Sequence, residues 1–104
     1  MHVVALVSDL MDRSRITAAV PAATFVADVG ATSGAEVVVI DLARHGDAVA
    51  TVRQGAPDAF IVAFGSHVDD DQLVAARAAG ADRVLPRSRF FRDPAAAVAP
   101  EDGP

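Results

Sequence analysis

Four short apolar runs, each closed by polar or turn-forming residues, set the rhythm of the chain: Val3-Val-Ala-Leu-Val7, Glu36-Val-Val-Val-Ile-Asp41, Phe60-Ile-Val-Ala-Phe64 and Val84-Leu85. Continuous rather than alternating apolar character predicts strands covered on both faces, as a parallel sheet requires. Thr24-Phe-Val-Ala, within residues 23–29, predicts a weaker strand. Between the runs the period lengthens. Asp12 or Ser14 is placed to cap a helix reaching about Val20, with Ile16, Ala19 and Val20 on one face and Pro21 ending it. Gly46-Asp47 opens a short helix to about Gln54, stopped by Gly55 and Pro57. Asp69 to Ala79 reads as a helix with an acidic start, Leu73, Val74, Ala76 and Ala79 turned inward, and Gly80 beyond its end.

Strands alternating with helices over short connections predict a parallel sheet with right-handed crossovers. The best-fitting arrangement is a flavodoxin-like α/β three-layer sandwich whose five-stranded parallel sheet has the order 2-1-3-4-5. Residues 30–35 are too few for a full helix between the second and third strands, so a reduced one is expected there. The last helix is expected to be weak or absent, because Pro94 and Pro100 bracket only Ala95-Ala-Ala-Val-Ala99. Residues 1–92 read as one domain and 93–104 as a flexible C-terminal tail.

Composition narrows the picture. A chain of 104 residues is one domain, and its 52% apolar share is mostly Ala and Val, with five Phe and no Trp or Tyr. A core of small side chains contributes little area per residue and needs close helix–sheet packing. The net charge of −5 argues against direct nucleic-acid binding, which calls for a basic face. Asp69-Asp70-Asp71 suits a helix start better than a calcium loop, whose ligands are spread along a longer turn. Without cysteine there is no disulfide, thiolate nucleophile or cysteine-based zinc site. No secretory leader and no membrane-length apolar stretch is present, so a cytoplasmic protein without membrane contact is expected.

If the four apolar runs lie parallel, Asp9, Asp41, Ser66 and Arg87 meet along one edge of the sheet. Ligands of open α/β sheets bind beyond the carboxyl ends of the strands, so this edge reads as a small-molecule or phosphoryl site, or its remains. Other signals are weaker. His45 reads as a solvent-facing loop residue, and Ser66-His67 lacks the Gly-x-Ser-x-Gly elbow of an acyl-transfer site. Gly30-Ala-Thr-Ser-Gly34 lacks the lysine of a phosphate-binding loop. Arg13 and Arg15 suit the surface better than a pocket rim. Phe90-Phe91 has little downstream chain to cover it, and with Val84 it marks the last strand and C-terminal region as a candidate interface.

Taken in order, three segments resemble the receiver domain of bacterial two-component response regulators. Ala78-Ala-Gly-Ala-Asp-Arg-Val-Leu-Pro-Arg-Ser88 is similar to the family's Ala-Gly-Ala-Asp-Asp-Tyr-Leu-x-Lys-Pro signature. Val38 to Leu42 resembles the phosphoacceptor strand, and Phe64-Gly-Ser-His-Val-Asp69 the switch segment. The resemblance spans most of residues 1–90 and implies Asp41 as the phosphoacceptor-like aspartate. It also implies magnesium at Asp9 and Asp41, with Ser8 in place of a first acid. Ser66, one place late, and Arg87, in place of the family's lysine, become the phosphate-contacting residues. Gly65 stands where the switch hydroxyl belongs, Val84 where an aromatic switch residue would be, and Ser88 where a proline follows the lysine.

These departures have physical consequences. Two carboxylates hold magnesium more weakly than three, so either no cofactor or weakly bound magnesium is expected. Arginine keeps the charge but presents a wide planar fork, which could pair with Asp41 and fill the pocket. Three readings follow. The first is a stand-alone degenerate receiver-like module, not an enzyme, that signals by contact with a protein partner or a second copy. The second is a single-domain response regulator phosphorylated on Asp41 by a histidine kinase. The third is a small flavodoxin-like domain that binds an anionic metabolite through Arg87.

Overall fold

A computed structural model describes residues 1–66, 68 and 70–100 of the chain. The strands are β1 (Val3–Leu6), β2 (Thr24–Phe25), β3 (Val37–Asp41), β4 (Phe60–Gly65) and β5 (Arg83–Pro86). The helices are α1 (Leu10–Ala19), α2 (Leu42–His45), α3 (Ala48–Gly55), α4 (Asp70–Ala78), α5 (Arg87–Arg92) and α6 (Pro94–Val98). All strand pairings are parallel, in the order β2-β1-β3-β4-β5 that the alternating pattern predicts.

Alternation along the strands divides the core between two faces. Val4, Leu6, Val38, Ile40, Ile61 and Ala63 point to one side, where Leu42, Val49, Val52 and Ala76 of α2, α3 and α4 cover them. Val3, Ala5, Val37, Val39, Val62 and Phe64 point to the other, beneath Ile16, Phe90, Ala97 and Val98 of α1, α5 and α6. β1 and β3 are buried along their whole length, which accounts for their continuous apolar runs, with Asp41 at the end of β3 the one buried polar residue in them. The reduced helix between β2 and β3 is a single 3-10 turn, Val29–Thr32, opened by Gly30 N–H donating to Asp28 Oδ1 at 3.2 Å.

Several local expectations change. Asp9, not Asp12 or Ser14, caps α1, its Oδ1 accepting from the Asp12 N–H at 2.9 Å. Val74 is 67% exposed rather than inward, because Leu73 and Ala76, one turn apart, already form the covering stripe and Val74 lies about 100° round from Leu73. The expected first residue of α4, Asp69, lies outside the described residues, as do His67 and the final 101–104. The segment expected to fray from Asp93 is helical over Pro94–Val98, with Ala97 and Val98 buried. Asp93 caps that turn through the Ala96 N–H, and Arg83 donates to the Ala97 and Ala99 carbonyls at 2.7 and 2.9 Å. β5 ends on Pro86, which an edge strand tolerates.

The stretch most like the receiver signature has a structural role at the opposite end of the sheet. Arg53 donates to the carbonyls of Pro57, Ala59 and Gly80 at 3.0, 2.9 and 2.8 Å and pairs with Asp82, which also accepts from Ile61 N–H at 2.8 Å. Gly80 has φ +119°, and a Cβ there would lie 2.9 Å from Arg53 Cγ. Glycine and aspartate at 80 and 82 are therefore explained by the turn between α4 and β5.

Candidate functional site

Four of the five parallel strands, β1, β3, β4 and β5, end or give way to the expected site residues at the sheet's carboxyl edge. Asp41 ends β3 opposite Phe64, and Gly65 ends β4 opposite Pro86. Ser8 and Asp9 follow β1, and Arg87 follows β5. Topology thus brings the expected residues to one edge, but their side chains do not meet in the expected pairs.

Asp41 is buried and caps α2, its Oδ1 accepting from the Ala43 N–H at 3.1 Å. Burial raises its carboxyl above the ordinary value of 3.8, outweighing the opposing Ala43 N–H and the nearby Arg87 charge. Asp12 adds to the upward push, and His45 opposes it.

Arg87 does not pair with Asp41. Its two terminal nitrogens grip Asp12, Nη1 to Oδ2 at 2.9 Å and Nη2 to Oδ1 at 2.8 Å. The Asp12 side chain is 5% exposed and that of Arg87 40%. The carboxylate hydrogen bond is the main reason the guanidinium is held even more firmly protonated than usual. Asp12 wins the contact because it sits one helical turn beyond Asp9, on the face of α1 that carries buried Ile16, and can accept both arms of the fork. Sequence reasoning used Asp12 only as a possible cap. The available signal was an acid four residues before the central apolar residue of the helix, hence on its inward face.

The remaining positions are also engaged. Gly65 is enclosed: a Cβ would stand 3.1 Å from Gln72 Oε1 and 3.3 Å from atoms of both Leu42 and Leu73. A hydroxyl-bearing residue there would crowd the start of α4, whose Gln72 donates to the Leu42 carbonyl at 3.0 Å. Ser66 lies past the strand and accepts from the Val68 N–H at 3.3 Å, organising its own loop. His45, expected in a solvent-facing loop, instead ends α2 half-buried, its Nε2 2.9 Å from Ser8 Oγ. Arg13 turns back to the Val7 carbonyl at 2.6 Å. Phe90 is fully buried and stacks on Phe64 with centroids 4.6 Å apart, so it belongs to the core and offers no interface. Phe91 and Val84 are half-buried.

Among the described residues no three His, Cys, Asp or Glu side chains are grouped as a metal site. Asp9 and Asp41 each give an oxygen to a helix cap, and both oxygens of Asp12 are taken by Arg87. This donor set fits a firmly held magnesium ion poorly.

No family model matches the chain, and no curated protein matches it. Solved structures do share its fold. They include a response regulator from Thermotoga maritima, at 13% identity over 82% of each chain with a TM-score of 0.68. A CheY-like protein (tadZ) from Pseudomonas aeruginosa PAO1 aligns at 20% identity over 83% of this chain and 86% of that one, with a TM-score of 0.68. The TrkA-N domain of the inner membrane protein ybaL from Escherichia coli aligns at 19% identity over 86% and 72%, with a TM-score of 0.53. At these identities the likeness is one of fold, and the fold is receiver-like. Among the described residues no helix is long and apolar enough to cross a membrane.

Proposed function

We propose that this chain is a degenerate receiver-like module that signals from the cytoplasm through protein–protein contact and carries out no catalysis. The observation that carries the reading is the bidentate Arg87–Asp12 pair. A cation that must follow a phosphoryl group on Asp41 is instead bound to a buried acid of another element. Gly65 supplies no hydroxyl, and the packing around it opposes one. In this reading Asp41 is retained as the cap that starts α2, and magnesium, held by Asp9 and Asp41 alone, is bound weakly.

The partner surface we assign is the α4–β5 face, where exposed Val74 and half-buried Val84 line a shallow depression with Leu73 and Arg77. A single exposed valine needs no explanation, but adjacent apolar residues on a sheet edge suit a protein partner, a second copy of the chain included.

A second reading is favoured by one observation: Asp41 stands at the end of the central strand, the position that the sequence resemblance implies for a phosphoacceptor. In that case a histidine kinase is the partner and Asp41 is phosphorylated. Amide spectra with magnesium and beryllofluoride separate the two. The degenerate module is expected to show no change around Asp41, Leu42 and Ala43. Shifts centred there that disappear in Asp41→Asn would replace it with the phosphorylatable reading.

A further inference from the structure

An open depression of about 410 Å³ lies outside the Asp41 site and is lined by Arg15 of α1 and by Arg87, Ser88, Phe91 and Arg92 of α5. Three of its five residues are guanidinium-bearing, in a chain whose net charge is −5. Only Arg87 has a carboxylate partner; among the described residues neither Arg15 nor Arg92 is in an ion pair. Asp12 uses one N–H from each terminal nitrogen of Arg87, which leaves three of the five donors of that group for another acceptor. The arms are also held in place. The Arg15 guanidinium lies 4.6 Å from the centroid of the Phe91 ring and that of Arg87 5.1 Å. Contacts of this kind hold the donors near one geometry before a ligand arrives, which reduces the entropy lost on binding.

We infer that this depression binds the phosphate group of a small organic phosphate, with Arg15, Arg87 and Arg92 as cationic donors and Ser88 as a hydroxyl donor. Planar guanidinium forks match phosphate oxygens in pairs, and two further guanidinium charges without a carboxylate partner, Arg15 and Arg92, beside the Asp12-paired Arg87 leave net positive charge that favours a dianion over a monoanion. The volume exceeds what a bare phosphate fills and lies at the lower end of the range for small-molecule sites, which leaves room for the carrier. The site does not depend on any chemistry at Asp41.

Amide spectra of the full chain during titration with glycerol 3-phosphate, at ionic strength held constant with chloride, test the assignment. Saturable shifts at Arg15, Ser88, Phe91 and Arg92 are expected, together with at least tenfold weaker binding in the double variant Arg15→Gln/Arg92→Gln. Both residues are exposed, so the double variant should stay folded and melt within about 5 °C of wild type, the loss of the Arg15–Phe91 contact included, and Asp41→Asn should bind as wild type does. Shifts that chloride alone reproduces, or that persist in the double variant, would overturn the site. Inorganic phosphate binding as tightly as the ester would overturn the organic carrier.

Discussion

Asp12 and Arg87 form the most consequential side-chain pair at the sheet's edge, because one partner is buried and the other is not. Removing the cation strands a carboxylate in the core, which is far costlier than losing a surface ion pair. Arg87→Ala is expected to destabilise the fold by about 2–3 kcal/mol, below the range for a fully buried pair because the guanidinium keeps part of its hydration. Arg87→Lys should recover only part of that, since an ammonium cannot span both oxygens. Urea denaturation followed by circular dichroism, with Asp12→Asn completing the cycle, measures the coupling. Asp41 has the opposite relation to stability. Its folded-state carboxyl titrates above 3.8, so between that value and its folded pKa the folded chain holds a proton the unfolded chain has released. Stability therefore falls as pH rises through that window and stays lower above it. Asp41→Asn keeps the acceptor for Ala43 but removes the ionisation, so its melting temperature should exceed wild type at pH 7. The difference should vanish below about pH 3.8.

Among the elements, α5 shows most clearly how packing completes what local pattern leaves open. It has six residues, no side-chain cap and little helix-forming tendency beyond its arginines. Phe90 holds it down by stacking on Phe64, while Phe91 meets both rings edge-on at 5.2 and 4.9 Å. Phe90→Ala should cost about 3–5 kcal/mol, the range for emptying a fully buried aromatic site. Hydrogen exchange in that variant should accelerate in α5 and α6 before it does in β1 and β3. The β1 and β3 runs were legible from their apolar continuity alone. The helical turns α2 and α6 were not, because four- and five-residue helices are too short for a period to show and exist only where their caps, Asp41 and Asp93, and their buried faces meet the rest of the fold.

At the scale of the whole molecule, both helical layers rest on one sheet, so neither half of the core is independent. Ile40 of β3 lies in the core half covered by α2, α3 and α4, and Ile16 of α1 packs into the half covered by α1, α5 and α6. Ile40→Ala and Ile16→Ala should each lower stability by about 2–4 kcal/mol while unfolding keeps a single transition. With no Trp or Tyr in the chain, far-ultraviolet circular dichroism is the natural probe. Two separate transitions would mean that the layers unfold apart.

The strand order, the reduced link before β3 and the gathering of Asp9, Asp41, Ser66 and Arg87 at one edge were all present in the sequence. They depend on apolar continuity, turn residues and parallel connection rules, which act locally or through the backbone. What those side chains do at the edge was decided by tertiary structure. Arg87 lies 75 residues from Asp12, and only the packing of α1 against the start of α5 makes that acid a better partner than Asp41. Gly65 as a packing residue is explained only by Gln72, Leu42 and Leu73 closing around it. Backbone register follows from pattern, whereas the partner of a long charged side chain is settled by which carboxylate the folded chain has buried within reach.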